Sequence, residues 1–172
     1  GSKNLKAVVV RGSGDVKYPD EAKLKDVLKE AMQKIRDCEV TNTGLPTYGT
    51  AVLVNVINET GIYPTNNFME AYTPQADKAS GEILADKYLV RNTACFRCPI
   101  ACGRCCKVDG VEGEGPEYET LWAYSADCGI FDLPAVIKAN NLCNEYGLDT
   151  ISAGATIACA MELYKKGYIK DS

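Results

Sequence analysis

Apolar residues follow a clear helical period over residues 19–38. There Leu24, Val27, Leu28, Ala31, Met32 and Ile35 recur at alternating steps of three and one and line a single helix face. Lys23, Lys25, Lys29 and Lys34 fall on the other side and read as a solvated face. Pro19 suits a first-turn position, and Asp20 and Glu21 favour the positive end of the helix. Upstream, "LKAVVV" (5–10) is an apolar run rich in β-branched residues and is followed by Gly12, Ser13 and Gly14. It predicts one short strand, then a loop. "TYGTAVLVNVINETG" (47–61) is ambiguous by its β-branched content, and its length and closing Gly61 favour a helix. "YPTNNF" (63–68) reads as a loop, "SGEILADKYLV" (80–90) as a short helix and "VDGVEGEGPEY" (108–118) as a Gly-rich connector. Three further helical segments run to Gly129, Gly147 and Gly167, each closed by the residue that most readily adopts the left-handed stop. In the last, Ile151, Ala155, Ala158, Cys159 and Glu162 share a face, with small residues throughout that let a neighbouring helix approach closely. The predicted fold is mainly α, a multihelical domain with a short N-terminal strand.

Composition narrows the function classes. The 172 residues are enough for one domain with a sizeable core. A net charge of −4 with no Lys/Arg block argues against nucleic acid or an anionic membrane as partner. The sequence shows no secretory signal, and no apolar run approaches the roughly 20 residues that span a bilayer. A cytoplasmic setting follows as the expectation, and there clustered thiols point to metal or redox chemistry rather than to disulfides. The chain has no histidine, which excludes Ser-His-Asp and Cys-His hydrolases and Cys₂His₂ zinc fingers. Any metal here is held by thiolate, carboxylate or backbone oxygen.

Five of the nine cysteines lie in "CFRCPIACGRCC" (95–106). Cys95-x₂-Cys98-x₃-Cys102 sets three thiols on one loop, a spacing that can aim all three at one iron–sulfur cluster and leave one iron for a remote ligand. Cys105 lies a further x₂ along and is a candidate local fourth ligand, with Cys106 beside it. Structural zinc and plain packing thiols are the competing readings. Cys38, Cys128, Cys143 and Cys159 sit among apolar neighbours on helical segments and are expected in the core. Glu119 is open to reading as a first-turn glutamate, and Asn144 and Asp149 as helix punctuation, with Asp149 an N-cap.

Several stretches together resemble the tungsten-dependent aldehyde:ferredoxin oxidoreductase family, along nearly the whole chain. They are "GSKNLKAVVVRG", "GIYPTNNF", "CFRCPIACGR", "GEGPEYETLWA", "CGIFDLPAVIKANNLCNEYGLDTIS" and "AMELYKKG", in the family's order. The resemblance implies a middle segment of a larger enzyme. Residues 1–16 would be the exit from an N-terminal cofactor domain, with Gly1 and Ser2 readable as native sequence or as a tag scar. Residues 17–172 would be the helical domain carrying the cluster loop (95–106) and one pterin motif (144–149). It implies a [4Fe–4S] cluster on Cys95, Cys98 and Cys102, with the fourth cysteine beyond residue 172. It also implies that Glu119 lines a site for tungsten, or molybdenum, held by two pterins. The pterin motif Asp-x-x-Gly-Leu-Asp/Cys falls on Asn144, Glu145, Tyr146, Gly147, Leu148 and Asp149. Asn144 stands where the family has aspartate, which removes a charge but keeps an acceptor. Cys105 and Cys106 are a second departure. The implied activity is oxidation of a small aldehyde to a carboxylic acid with ferredoxin as acceptor, and the segment alone is expected to be inactive. The alternatives are the related catalytic subunit of class II benzoyl-coenzyme A reductase and a non-enzymatic iron–sulfur or zinc module.

Overall fold

Asp20 turns its carboxylate back onto the amide of Lys23 at 2.9 Å and so caps helix α1 (Glu21–Asp37), two residues later than Pro19 suggests. This is seen in a computed structural model that describes residues 3–170; Gly1 and Ser2, with the question of their origin, lie outside the described residues. Leu24, Met32 and Ile35 of α1 are half-buried, while Val27, Leu28 and Ala31 of the same apolar face are exposed, as is its lysine face.

The predicted N-terminal strand is not formed. Residues 5–10 have no strand conformation, and Val8, Val9 and Val10 are 74%, 91% and 85% exposed. β-branched residues fit a pleated surface, but without a neighbouring strand edge there is no ladder to hold them. The strands lie elsewhere. β1 (Leu89–Thr93), β2 (Gly103–Val108) and β3 (Val111–Glu114) form an antiparallel sheet in the order β1-β2-β3. Asp109 and Gly110, with φ of 50° and 83°, make the two-residue turn that pairs Val108 with Val111.

The expected helix over 47–61 is interrupted. Helix α2 (Leu45–Tyr48) passes into a 3₁₀ turn (Gly49–Val52) and then α3 (Leu53–Glu59), because Gly49 adopts φ 64°, ψ −161°, which no helix continues. Helix α4 (Gly81–Lys87), capped by Ser80, leads through Tyr88 into β1. Three helices follow: α5 (Tyr118–Tyr124), α6 (Leu133–Tyr146) and α7 (Thr150–Lys165). Asp132 and Asp149 cap α6 and α7, and left-handed Gly147 ends α6. Between α5 and α6, left-handed Gly129 ends a turn rather than the helix itself. The core joins Val54, Leu84, Leu121 and Ile137 to Cys106 and Val108, which face inward from β2. Among the described residues no helix is long and apolar enough to cross a membrane.

Helices α5 and α7 pack so closely that a Cβ on Gly154 would lie 2.7 Å from Ala123 Cβ and 2.9 Å from its carbonyl oxygen. Gly154→Ala adds about 1 kcal/mol of helix propensity, yet it forces two helices apart, and overpacking of this kind costs about 1–3 kcal/mol. Steric cost exceeds propensity here, so the variant is expected to melt below wild type in thermal denaturation. An unchanged or higher midpoint would contradict the packing argument.

The predicted loop 63–68 closes against the turn after α5. Asn66, Asn67 and Phe68 all have positive φ, and the amides of Asn66 and Asn67 donate to the carbonyls of Ala126 and Asp127 at 2.9 and 2.8 Å. Phe68 meets the edge of Trp122 with centroids 5.5 Å apart. Beneath this turn the Asp127 side chain is buried, and neither carboxylate oxygen has a hydrogen-bond partner. Burial pushes its carboxyl above the ordinary value, against a smaller downward pull from the amides of Phe68 and Asn67. The fold therefore holds this proton more tightly than the unfolded chain does. That contribution is present below the ordinary carboxylate range and is lost as pH rises through the folded value. Asp127→Asn should raise the urea midpoint at neutral pH, with the gain shrinking toward about pH 4. Equal midpoints at both pH values would show that no charge is being buried.

Candidate functional site

The cysteine loop occupies residues 94–102, and the pair Thr93–Gly103 joins its two ends across β1 and β2. Its first half is a tight turn, with the amide of Cys98 on the carbonyl of Cys95 at 2.9 Å and Arg97 at φ 59°. Ala101, at φ 55°, turns the chain back toward β2. Cys95 is exposed, Cys98 and Cys102 are half-buried, and all nine cysteines are free thiols. Among the described residues no three Cys, Asp or Glu side chains are gathered tightly enough to hold a metal ion, and the three loop sulfurs do not meet. Their chemistry nonetheless fits an iron–sulfur group: three soft sulfur donors lie on one short loop with no imidazole or carboxylate among them.

The returning leg of the loop is fixed from below. Arg104, the first residue of β2 to face inward, is 2% exposed. Its Nε donates to the Cys102 carbonyl at 3.1 Å, and Nη2 donates to the Ala101 carbonyl at 3.0 Å. The same fork reaches the carbonyls of Thr47 (2.9 Å), Pro46 (2.9 Å) and Leu45 (3.2 Å) in α2. Asn92 of β1 donates to the Pro46 carbonyl as well, at 2.7 Å. None of the ion pairs among the described residues includes Arg104. Burial lowers its pKa, and the nearby Cys102, Cys106 and Glu117 oppose that shift. Gly49 lies against the same joint, where an added Cβ would fall 2.8 Å from the Cys102 carbonyl oxygen and 3.1 Å from Arg104 Nε.

The next residue connects this joint to the other predicted elements. Thr50 Oγ1 donates to the Glu117 carboxylate and accepts the Tyr118 amide at 2.8 Å, which fixes the start of α5. Glu119 sits exposed in that first turn. Beside it, Thr120 Oγ1 lies 2.8 Å from Thr150 Oγ1, the first residue of α7. The corner between α6 and α7 therefore adjoins the start of α5. In that corner Asn144, Leu148 and Asp149 are all exposed, and Leu148 donates its amide to the Cys143 carbonyl at 2.8 Å. One oxygen of Asp149 caps the Ser152 amide at 2.7 Å, and the Ser152 hydroxyl together with that amide holds the carboxyl below the ordinary value. Asn144 brings an amide donor and acceptor, so the donor set suits the amine and amide edges of a pterin. One connected path thus runs from Cys102 through Arg104, Gly49, Thr50, Glu117 and Thr120 to Thr150 and Asp149.

The remaining cysteines have other places. Cys105 is buried on the opposite face of β2 from Cys106, its thiol donating to Glu112 at 3.1 Å, and that bond, with burial, raises its pKa. Glu112 also pairs with Arg91. Cys106 is fully buried in the core, and desolvation pushes its thiol up to about 11. Cys128 and Cys143 are buried as expected, the latter 3.0 Å from the Tyr124 hydroxyl. Cys38 and Cys159 are exposed, which corrects the expectation of core positions: Cys38 lies just past the end of α1, and Cys159 on the outer side of α7. Sequence reasoning missed Arg104, Gly49 and Thr50. Gly49 carried a signal, since a glycine inside an apparent helix often marks a close backbone approach.

The family model described as aldehyde ferredoxin oxidoreductase, domains 2 and 3, matches residues 26–172. A tungsten-containing aldehyde ferredoxin oxidoreductase of Pyrococcus furiosus is 55% identical over 172 residues, covering 99% of this chain and 28% of that protein. Its namesake in Thermococcus kodakarensis is 53% identical over 173 residues, with the same coverage. An aliphatic sulfonate oxidoreductase, WOR-like subunit, of Pyrococcus furiosus is 27% identical over 176 residues, covering 98% of this chain and 28% of that protein. The chain spans 28% of the length of these relatives.

The joint at Gly49 generates a direct prediction. Its dihedrals lie in a region open almost only to glycine, and a non-glycine residue there costs about 1–3 kcal/mol. Gly49→Ala adds a clash with the Cys102 carbonyl. Limited proteolysis should therefore cut the 94–102 loop faster in Gly49→Ala than in wild type, alongside a lower unfolding midpoint. Unchanged protection of the loop would show that Gly49 does not seat it.

Proposed function

The chain belongs to the aldehyde ferredoxin oxidoreductase family, and from that membership we propose that it is the helical middle segment of a tungsten–pterin, iron–sulfur enzyme that oxidises small aldehydes to carboxylic acids. The observation that carries this reading is the 53–55% identity to tungsten-containing aldehyde ferredoxin oxidoreductases, held along 99% of the chain. Neither benzoyl-coenzyme A ring reduction nor a stand-alone zinc or iron–sulfur module draws support from these relatives.

In the proposed enzyme Cys95, Cys98 and Cys102 would hold a [4Fe–4S] cluster, with a fourth ligand expected from another part of the parent protein. Asn144, Leu148 and Asp149 contact one pterin at the α6–α7 corner. When bound, the tungsten–bispterin group supplies the oxygen and electron chemistry of the oxidation. Glu119 holds the proton taken from water or substrate, a role that requires the rest of the parent to cover its exposed carboxylate. The path from Asp149 to Cys102 keeps the pterin corner and the cysteine loop in fixed relation. A ferredoxin would be the electron acceptor, and a reducing cytoplasm would keep the nine thiols free. The sulfonate-named relative, at 27% identity, supports a scaffold whose substrate is chosen by surfaces outside this segment.

Cys98→Ser in the full-length parent is the test. It should abolish most cluster absorption and aldehyde-dependent reduction of a viologen dye, by a factor of about 100 or more. The isolated chain, reconstituted with iron and sulfide, should give no turnover. Full activity in Cys98→Ser, or turnover by the isolated chain, would overturn the assignment.

A further inference from the structure

Arg104 is a buried cation whose five hydrogen bonds all end on carbonyl oxygens. Carbonyls orient a guanidinium but do not neutralise it. Glu117, the carboxylate whose charge bears on it, is itself engaged by the Thr50 hydroxyl. An uncompensated charge in a protein interior is costly, and the fork offsets part of that cost by donating to five carbonyls that an apolar side chain of similar length would leave without this donor. Packing alone therefore does not account for an arginine. What distinguishes the position is the company it keeps: two of the five carbonyls belong to Ala101 and Cys102, so the charge lies against the backbone of one of the three loop cysteines.

We propose that Arg104 is a positioning residue for the iron–sulfur group, fixing the Cys102 leg of the loop through its guanidinium fork and stabilising the group's negative charge from behind. The proposal rests on the assignment of Cys95, Cys98 and Cys102 as ligands. A cluster held by four thiolates carries net negative charge, which increases on reduction, and its potential depends on the charges and hydrogen bonds around it. A fixed cation therefore favours the reduced form and raises the potential. The fork and the charge are separable. Lysine keeps the charge but has a single compact ammonium that cannot bridge carbonyls of two elements, whereas glutamine keeps neither the reach nor the charge. Two neighbours serve as controls. Asn92 ties β1 to the Pro46 carbonyl without any charge. Gly49 shapes the same joint by sterics alone.

The test uses the full-length parent with its cluster and compares Arg104→Lys, Arg104→Gln, Asn92→Ala and Gly49→Ala with wild type. Two quantities are read: the rate of iron release to a ferrous chelator, and the cluster's midpoint potential by redox titration of its spectroscopic signal. Circular dichroism checks that each variant is folded. Arg104→Gln should release iron on the order of tenfold faster, the factor that the loss of one charge-assisted hydrogen bond carries, and its midpoint should fall. Arg104→Lys should also release iron faster but keep a midpoint near wild type. Gly49→Ala should speed release without moving the midpoint, and Asn92→Ala should leave the midpoint unmoved. If both Arg104 variants are folded and match wild type in both readouts, the proposal is wrong. It is equally overturned if they fail to fold, or if the lysine and glutamine variants shift the midpoint alike. If instead Cys98→Ser retains the full cluster signal, the ligand assignment fails before Arg104 is in question.

Discussion

The Arg104 guanidinium lies inside the protein with carbonyl oxygens as its hydrogen-bond partners, and much of the structure is arranged to make that tolerable. Burying a charge without an ion-pair partner costs on the order of several kcal/mol. Five oriented carbonyls offset part of that cost, but only if two separate pieces of chain present them at once. Residues 45–47 supply three from α2, and Ala101 and Cys102 supply two from the loop. The short helix must therefore stop at Tyr48, and Gly49 must adopt a conformation closed to other residues, so that the backbone passes beneath the loop without a side chain. The break in the predicted 47–61 helix is thus a consequence of what sits above it.

From this joint the constraint spreads through single hydrogen bonds. Thr50 uses its hydroxyl twice, as donor to Glu117 and as acceptor from Tyr118, so the start of α5 is referred to the same segment that seats the loop. Thr120 and Thr150 then refer α7 to α5, while Gly154 lets the two helices close to backbone contact. Loops that bind cofactors depend on rigid support beneath them. Here the cysteine loop, the Glu119 turn and the α6–α7 corner share one support, although residues 47, 104 and 150 are far apart in sequence.

Much of this was legible in the chain. Helix α1 followed from its apolar period and the acidic residues at its start, α6 and α7 from their terminal glycines, with Asp149 readable as the cap of α7, because each of those signals is local. The hairpin of β2 and β3 was equally local, since Asp109 and Gly110 between valines is a strong two-residue turn signal, but the surrounding glycines gave it the look of a connector. The apolar run 5–10 misled in the opposite direction: its propensity suits a strand, yet pairing depends on a partner that propensity does not reveal. The three loop cysteines stood out by spacing. The arginine beneath them did not, because a lone arginine in sequence reads as solvated, and only tertiary structure shows which carbonyls surround it. The exposure of Cys38 and Cys159 was hidden for the same reason.

Anomalous scattering at the iron edge from crystals of the full-length parent tests the account most directly. The account predicts a compact group of iron atoms bonded to the sulfurs of Cys95, Cys98 and Cys102, with Arg104 behind Cys102 on its five carbonyls. A single zinc at the loop, or iron bound elsewhere with these three thiols unligated, would contradict it.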